Sequence, residues 1–328
     1  MFVGHEFLAF AVAGAGARLV GRDARTALAA GFVAALCALL PDLDVAYGFA
    51  TYLLAVGRGA PLSWEAFWVV ANGVHRVVTH PLPVGAAATC CFAAAAAVGR
   101  IRDARVDAPV VPTAATVALT LGGVVTAGIV VSAVARTAGD ASAVVAAVYL
   151  GTACVTGVAV ARRTVAPVGV LAVAAGVGFL SHPFGDVFMA APPPLLSPFA
   201  PSPLTERVAF APDQTLNLLG VLFVEAATVW AGLLVYLRLT DRRLRDAFAG
   251  RAVVGVGYAP AAFLLPRPTM VDAHVLGFTV VPLAVVVGAT AAARGVGTRD
   301  ERSVRGLATG LATLTVAGGA YLLVYLLG

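Results

Sequence analysis

Long apolar stretches recur along this chain, and no other property restricts its fold so strongly. There are about ten, near 5–20, 26–41, 82–99, 110–134, 141–161, 165–181, 216–237, 252–265, 274–293 and 306–327. Most approach or reach the roughly 17 to 25 residues that carry a helix across a bilayer's hydrocarbon layer. Hydrocarbon offers no water to the backbone, so a segment crossing it must satisfy its own N–H and C=O groups, as a helix does. A chain that is 60% hydrophobic, 12% charged and has a mean hydropathy of +0.92 cannot hide its apolar surface inside a soluble globule of 328 residues. The expectation is an all-α polytopic membrane protein with about eight to ten transmembrane helices. The first and eighth runs are short and read as tilted partners or half-spans. Re-entrant or interfacial segments are expected near 45–74 and 187–203. Residues 1–205 form a membrane domain and 206–328 a C-terminal helical extension packed with it as one unit. The opening MFVGHEF lacks the positive stretch of a secretory signal, so the first run is expected to stay as a helix.

The few polar side chains are concentrated at the ends of these runs. The chain has five histidines. His75 and His80 bracket the segment HRVVTH before one span, His5 opens the first run and His182 closes another. Asp42, Asp44 and Asp186 lie beside the same ends. Counting crossings from His5 returns the chain to one face at Asp42 and Asp44, at His75 and His80, and at His182 and Asp186, provided that 45–74 does not cross. Arginine placement fixes the side. All 22 basic residues are arginines, and 17 of them fall on the opposite face. Only Arg58, Arg76, Arg136, Arg207 and Arg267 share the face with the histidines. Short cytoplasmic loops carry the basic excess, so the site and both termini are expected outside the cytoplasm. Basic loops facing anionic lipid also account for a pI of 9.3, with no nucleic-acid partner implied.

Imidazoles and carboxylates gathered at one face are the donors that a divalent metal takes, and a catalytic metal keeps one position open for water. His5, Asp42, Asp44, His75, His80, His182 and Asp186 suffice for one or two ions, zinc first, with manganese or magnesium as alternatives. His182 and Asp186, spaced i and i+4, share a face of a continuous helix. Pro183 and Gly185 between them predict a break near 182, with Asp186 in a new half-helix. Asp42 and Asp44 would point about 200° apart on an ideal helix. Both reach a metal only if the helix ends at Pro41; otherwise one binds it and the other orients a histidine through its second nitrogen. Arg76 suits a phosphate or carboxylate oxygen of a substrate, or a structural pair with Asp42 or Asp44. Thr79 either bonds a ligand or caps the following helix. Glu6, next to His5, is a candidate ligand or general base, or a carboxylate favoured at a helix N-terminus. Glu225 lies inside the seventh span, where an ionisable group is costly, with Asn217 and Arg136 as candidate partners. Cys37, Cys90, Cys91 and Cys154 sit in apolar segments without metal spacing and read as core.

The set GHEFLAF with His5, LLPDLD at 39–44, HRVVTHP at 75–81, FLSHPFGDVF at 179–188 and LLSPFAP at 195–201 resembles the membrane-bound metal-dependent hydrolases of prokaryotic inner membranes. The match covers roughly residues 1–200 in the family's order. It implies His5, Asp42, Asp44, His75, His80, His182 and Asp186 as metal-site residues, with Arg76 and Thr79 in the signature. Pro81 stands where the family usually has a small polar residue, and 216–328 carries no family motif. The reading that follows is hydrolysis by metal-activated water of a phosphoester-type or lipid-linked substrate, with membrane lipid as the surrounding partner. The competing reading is a metal-ion or small-solute transporter, or a metal-binding membrane protein without hydrolytic activity. No oligomeric state is implied.

Overall fold

The computed structural model describes residues 3–72, 76–104, 114–188, 191–270 and 272–328. The described residues are helical, with no strand among them. The helices in chain order are α1 (Gly4–Leu19), α2 (Ala24–Leu39), α3 (Val45–Val56), α4 (Trp64–Asn72), α5 (Leu82–Ala104), α6 (Ala114–Ala138), α7 (Asp140–Arg163) and α8 (Val168–Asp186). They are followed by α9 (Gln214–Leu239), the short α10 (Leu244–Ala247), α11 (Ala261–Leu264) and α12 (His274–Gly277), then α13 (Val280–Ala293) and α14 (Arg299–Leu327). Tight 3-10 turns cover Pro41–Asp44 and Gly250–Tyr258. Among the described residues eight helical stretches are long and apolar enough to cross a membrane, which makes this a multi-pass all-α membrane protein. The chain forms two compact units, Val12–Arg207 and Met1–Ala11 with Val208–Gly328.

In the first of these units, α5 packs on α6, α7 and α8, and α2 packs on α8. Membrane helices gain nothing from hiding apolar surface from lipid, so they associate through close backbone approach at small residues. Gly178 is such a point. A Cβ there would come 2.3 Å from the Ala34 carbonyl oxygen and 2.8 Å from Cys37 Cβ, so α8 and α2 touch backbone to backbone just below the turn that carries Asp42. The 45–74 region contributes two half-length helices. At 1.5 Å per residue α3 is about 18 Å long, short of the roughly 30 Å of hydrocarbon. It folds back on α4 as a hairpin, with Tyr52 and Phe67 edge to face at 5.5 Å and the Tyr52 hydroxyl accepting from Ser63 N at 3.0 Å. Arg58 lies in the connecting loop, and an arginine at mid-bilayer costs about 2.5–3.5 kcal/mol or more, which favours the hairpin at the interface over a dip into the membrane.

One expectation is corrected here. The predicted break near His182 does not occur, and α8 continues through Pro183 to Asp186. Pro183 stands in the last turn and removes one bond, the one that would have reached the Phe179 carbonyl. That carbonyl instead faces Gly85 of α5, where a Cβ would lie only 3.1 Å away. Tertiary packing covers the group that the proline strands, so the helix has no reason to end.

In the second unit α14 is the spine, with α9, α13 and the Gly250–Tyr258 turn packed along it. The eighth expected span, 252–265, is not an α-helix: it runs as 3-10 backbone and then the single turn of α11. It nevertheless follows α14 closely. Ala249 N donates to Thr309 Oγ1 at 3.0 Å, a Cβ on Gly255 would lie 2.5 Å from the Thr313 carbonyl oxygen, and the Tyr258 ring lies 6.0 Å from that of Tyr321. Twelve helical residues separate Thr309 from Tyr321, about 18 Å of depth. The narrower 3-10 winding brings the backbone into contact with α14, and its local hydrogen bonds meet the demand that hydrocarbon makes on irregular backbone.

The same unit places Glu225. Its Oε1 accepts from the backbone N–H groups of Val3 and Gly4, at 2.8 and 3.2 Å, at the start of α1. An intramembrane carboxylate is thus held by the positive end of a helix. Asn217 Oδ1 accepts from Phe210 N at 2.7 Å.

Candidate metal centre

Three elements of the Val12–Arg207 unit converge: the Pro41–Asp44 turn, residues 76–80 just before α5, and the last turn of α8. Pro41 opens a tight turn that points Asp42 and Asp44 to different targets. Asp44 Oδ2 accepts from Arg76 N at 3.0 Å and from the Thr79 hydroxyl at 2.6 Å, tying the HRVVTH segment to the end of α2. Arg76 has a φ of 74°, a conformation that costs a residue with a Cβ about 1–2 kcal/mol. The bond from its N–H to Asp44 helps to hold it there.

Thr79 is the hinge of the geometry. Its oxygen lies 2.9 Å from His80 Nδ1 while its proton goes to Asp44. A hydroxyl that has donated its proton can still accept, so the arrangement selects the His80 tautomer with hydrogen on Nδ1 and a lone pair on Nε2. His80 Nε2 faces His182 Nε2 at 3.0 Å, Asp186 Oδ2 at 3.3 Å and Asp42 Oδ1 at 3.6 Å. His182 Nε2 lies 3.4 Å from the same Asp42 oxygen. His80, His182 and Asp186 are all about 1% exposed or less, with ligand atoms within 4.8 Å of one another. Bonds of about 2.0–2.1 Å to a tetrahedral ion place neighbouring donor atoms about 3.3–3.4 Å apart. Four contacts among the four side chains, at 3.0, 3.3, 3.4 and 3.6 Å, bracket that spacing. Buried lone pairs aimed at one point are costly without a cation or proton between them.

The same field acts on His80 as a base. Burial pushes its pKa down, but the carboxylates of Asp186, Asp42 and Asp44 outweigh that and hold it above the ordinary histidine value. Arg76 Nε lies 3.0 Å from Asp186 Oδ2, with 18% of its side chain exposed. Its guanidinium therefore stands between a buried carboxylate and the surface.

Of the residues singled out from sequence, the structure brings together Asp42, Asp44, Arg76, Thr79, His80, His182 and Asp186. The Arg76 guanidinium pairs with Asp186, while its backbone N–H serves Asp44. Thr79 bonds Asp44 and His80. His75 lies outside the described residues. His5 and Glu6 stand in the first turn of α1 in the other unit, His5 buried and Glu6 half-buried. The four cysteines are free and form no part of this cluster.

The family model described as YdjM inner membrane protein matches residues 1–254, which contain every one of these side chains. Comparisons with curated proteins and with solved structures return no match.

Proposed function

The chain belongs to the YdjM inner membrane protein family, and from that premise we propose that it is a membrane-embedded, metal-dependent hydrolase. Its substrate is a phosphoester-type or lipid-linked molecule, met at the extracytoplasmic face. The observation that carries this reading is the convergence of His80 Nε2, His182 Nε2, Asp42 Oδ1 and Asp186 Oδ2 at contacts of 3.0–3.6 Å. His80, His182 and Asp186, whose ligand atoms all lie within 4.8 Å of one another, suit one zinc ion, with manganese or magnesium as alternatives, and leave a fourth position beside Asp42 open for water. A divalent ion bound here would supply Lewis acidity and would lower the pKa of water toward about 7.

The chain's own residues do the rest. Thr79 and Asp44 fix the tautomer and orientation of His80. Asp186 divides its charge between the cluster and Arg76, whose planar guanidinium is placed to orient an anionic oxygen of the substrate. His5, Glu6 and His75 keep the roles of ligand, general base and ligand that the sequence gives them, each open to substitution. Charge supports this choice of side: α5 and α7 end in Arg100, Arg162 and Arg163, with the Arg100 guanidinium on the Ala166 carbonyl at 2.7 Å, while the cluster lies at the other end of α5. Glu225 accepts from the first N–H groups of α1, which weighs against its use in a transport path through the bilayer.

The test is turnover of phosphodiester-headgroup lipids in vesicles by zinc-loaded protein. Activity is expected to vanish on chelation, return with zinc, and fall at least 100-fold in Asp186→Asn, the scale of a lost catalytic electrostatic contact. Zinc-loaded protein that moves zinc across vesicles without hydrolysing any lipid would sink the enzyme reading.

A further inference from the structure

The arginine-rich end of the second unit holds a cavity of about 480 Å³ where α9 ends and α14 begins. Leu237, Ala247 and Val304 are buried and form its floor, and Val296 stands 97% exposed at its lip. Its rim is charged, with Asp241, Arg242, Arg243, Asp246, Glu301 and Arg305. Two of these are already committed. Arg242 is paired with Asp300 and lies 6.0 Å from the Tyr236 ring, and Glu301 closes the α14 capping box by accepting from Thr298 N at 2.7 Å. Arg243, Arg305 and Asp241 form no ion pair among the described residues, and Asp246 meets only the exposed Arg245, at 3.8 Å. What remains is two cations and two anions above an apolar floor.

The depth is that of lipid headgroups. α9, α13 and α14 are apolar spans that all leave the hydrocarbon at this end, where Arg238, Arg294, Arg299 and Arg302 also lie. Such basic ends face the cytoplasm, and basic pockets between membrane helices on that side receive phosphate-bearing headgroups. A purely anionic headgroup would set two carboxylates against itself, whereas one that also carries an ammonium satisfies both signs. We propose that this cavity is a binding site for a zwitterionic aminophospholipid headgroup, with the phosphate on Arg243 and Arg305 and the ammonium on Asp241 and Asp246. It does not depend on the metal centre.

The experiment uses the full chain exchanged into vesicles of equal parts phosphatidylethanolamine and phosphatidylglycerol, extracted gently, with bound lipid counted by native mass spectrometry. One phosphatidylethanolamine per chain is expected to be retained. Arg243→Gln with Arg305→Gln should lower that occupancy at least about 10-fold, as expected for lost charge-assisted bonds. Asp241→Asn with Asp246→Asn should remove the preference for phosphatidylethanolamine over phosphatidylglycerol. Both pairs lie at the rim, and Arg243→Gln alone, at an exposed position, gives the same readout in smaller measure. Equal retention of both lipids by the wild type, unchanged retention in the arginine variants, or displacement of the lipid by millimolar inorganic phosphate would each overturn the proposal.

Discussion

Replacing Thr79 by valine removes one oxygen and keeps the shape of the side chain. That oxygen lies 2.6 Å from Asp44 and 2.9 Å from His80 Nδ1, and Thr79 is 3% exposed, so water cannot readily take its place. Two consequences add. The buried Asp44 carboxylate and His80 Nδ1 each lose a partner, worth about 1–3 kcal/mol apiece when unsatisfied, although Arg76 N still serves Asp44. His80 is also released from the tautomer that leaves Nε2 free for metal. Partners that orient a ligating histidine are worth about 10–100-fold in metal affinity. Zinc affinity of purified protein, measured by competition with a chromophoric chelator, should therefore fall about 10–100-fold in Thr79→Val. Thr79→Ser, which keeps the hydroxyl, should stay within about threefold, less than 1 kcal/mol. If Thr79→Val binds zinc as tightly as the wild type while His80→Ala does not bind, the link from Asp44 through Thr79 to His80 does not act as described.

Two further outcomes follow from the same contacts. Glu225→Ala should lower the thermal midpoint by the loss of a helix-end cap, about 1–2 kcal/mol, and Glu225→Gln should recover most of it because an amide oxygen still accepts from Val3 and Gly4; an ion-path role would instead make the glutamine variant as defective as the alanine in zinc flux while leaving its midpoint unchanged. The pKa of His80 is raised in the metal-free fold, so its proton contributes stability that is fully present below the ordinary histidine pKa and is lost as pH rises through the raised value. Zinc must displace that proton, so zinc affinity should drop as pH falls below the raised value, by up to about tenfold per unit, and binding should release a proton detectable by titration in weak buffer. A flat affinity between pH 6 and 8 with no proton release would exclude His80 as a ligand.

Much of this was legible before any coordinates. Apolar run lengths located α5, α6, α7, α9 and α14 within a few residues in most cases, because hydrocarbon leaves a backbone few alternatives to the helix. Counting crossings put His80, His182 and Asp186 on one face, and their ligand atoms do lie within 4.8 Å of one another. Pro183 misled because its cost depends on what faces the Phe179 carbonyl, and Gly85 comes from a helix almost a hundred residues earlier in the chain. The 252–265 run misled because periodicity cannot distinguish α from 3-10 winding where a glycine lets two backbones touch. Thr79 and Arg76 each had two sequence readings. Only the fold shows that Thr79 bridges Asp44 to His80 and that Arg76 leans on Asp186. Glu225 signalled something unusual by its depth, but its partner, the first turn of α1, lies more than two hundred residues away.

The most direct measurement is the metal content of the purified protein by elemental analysis, beside His80→Ala and Asp186→Ala prepared in parallel. The wild type is expected to carry at least one equivalent of zinc, manganese or magnesium per chain, and each variant well under half of that. Wild-type protein that holds no more metal than the two variants, even after incubation with zinc, would contradict a metal centre at His80, His182, Asp42 and Asp186.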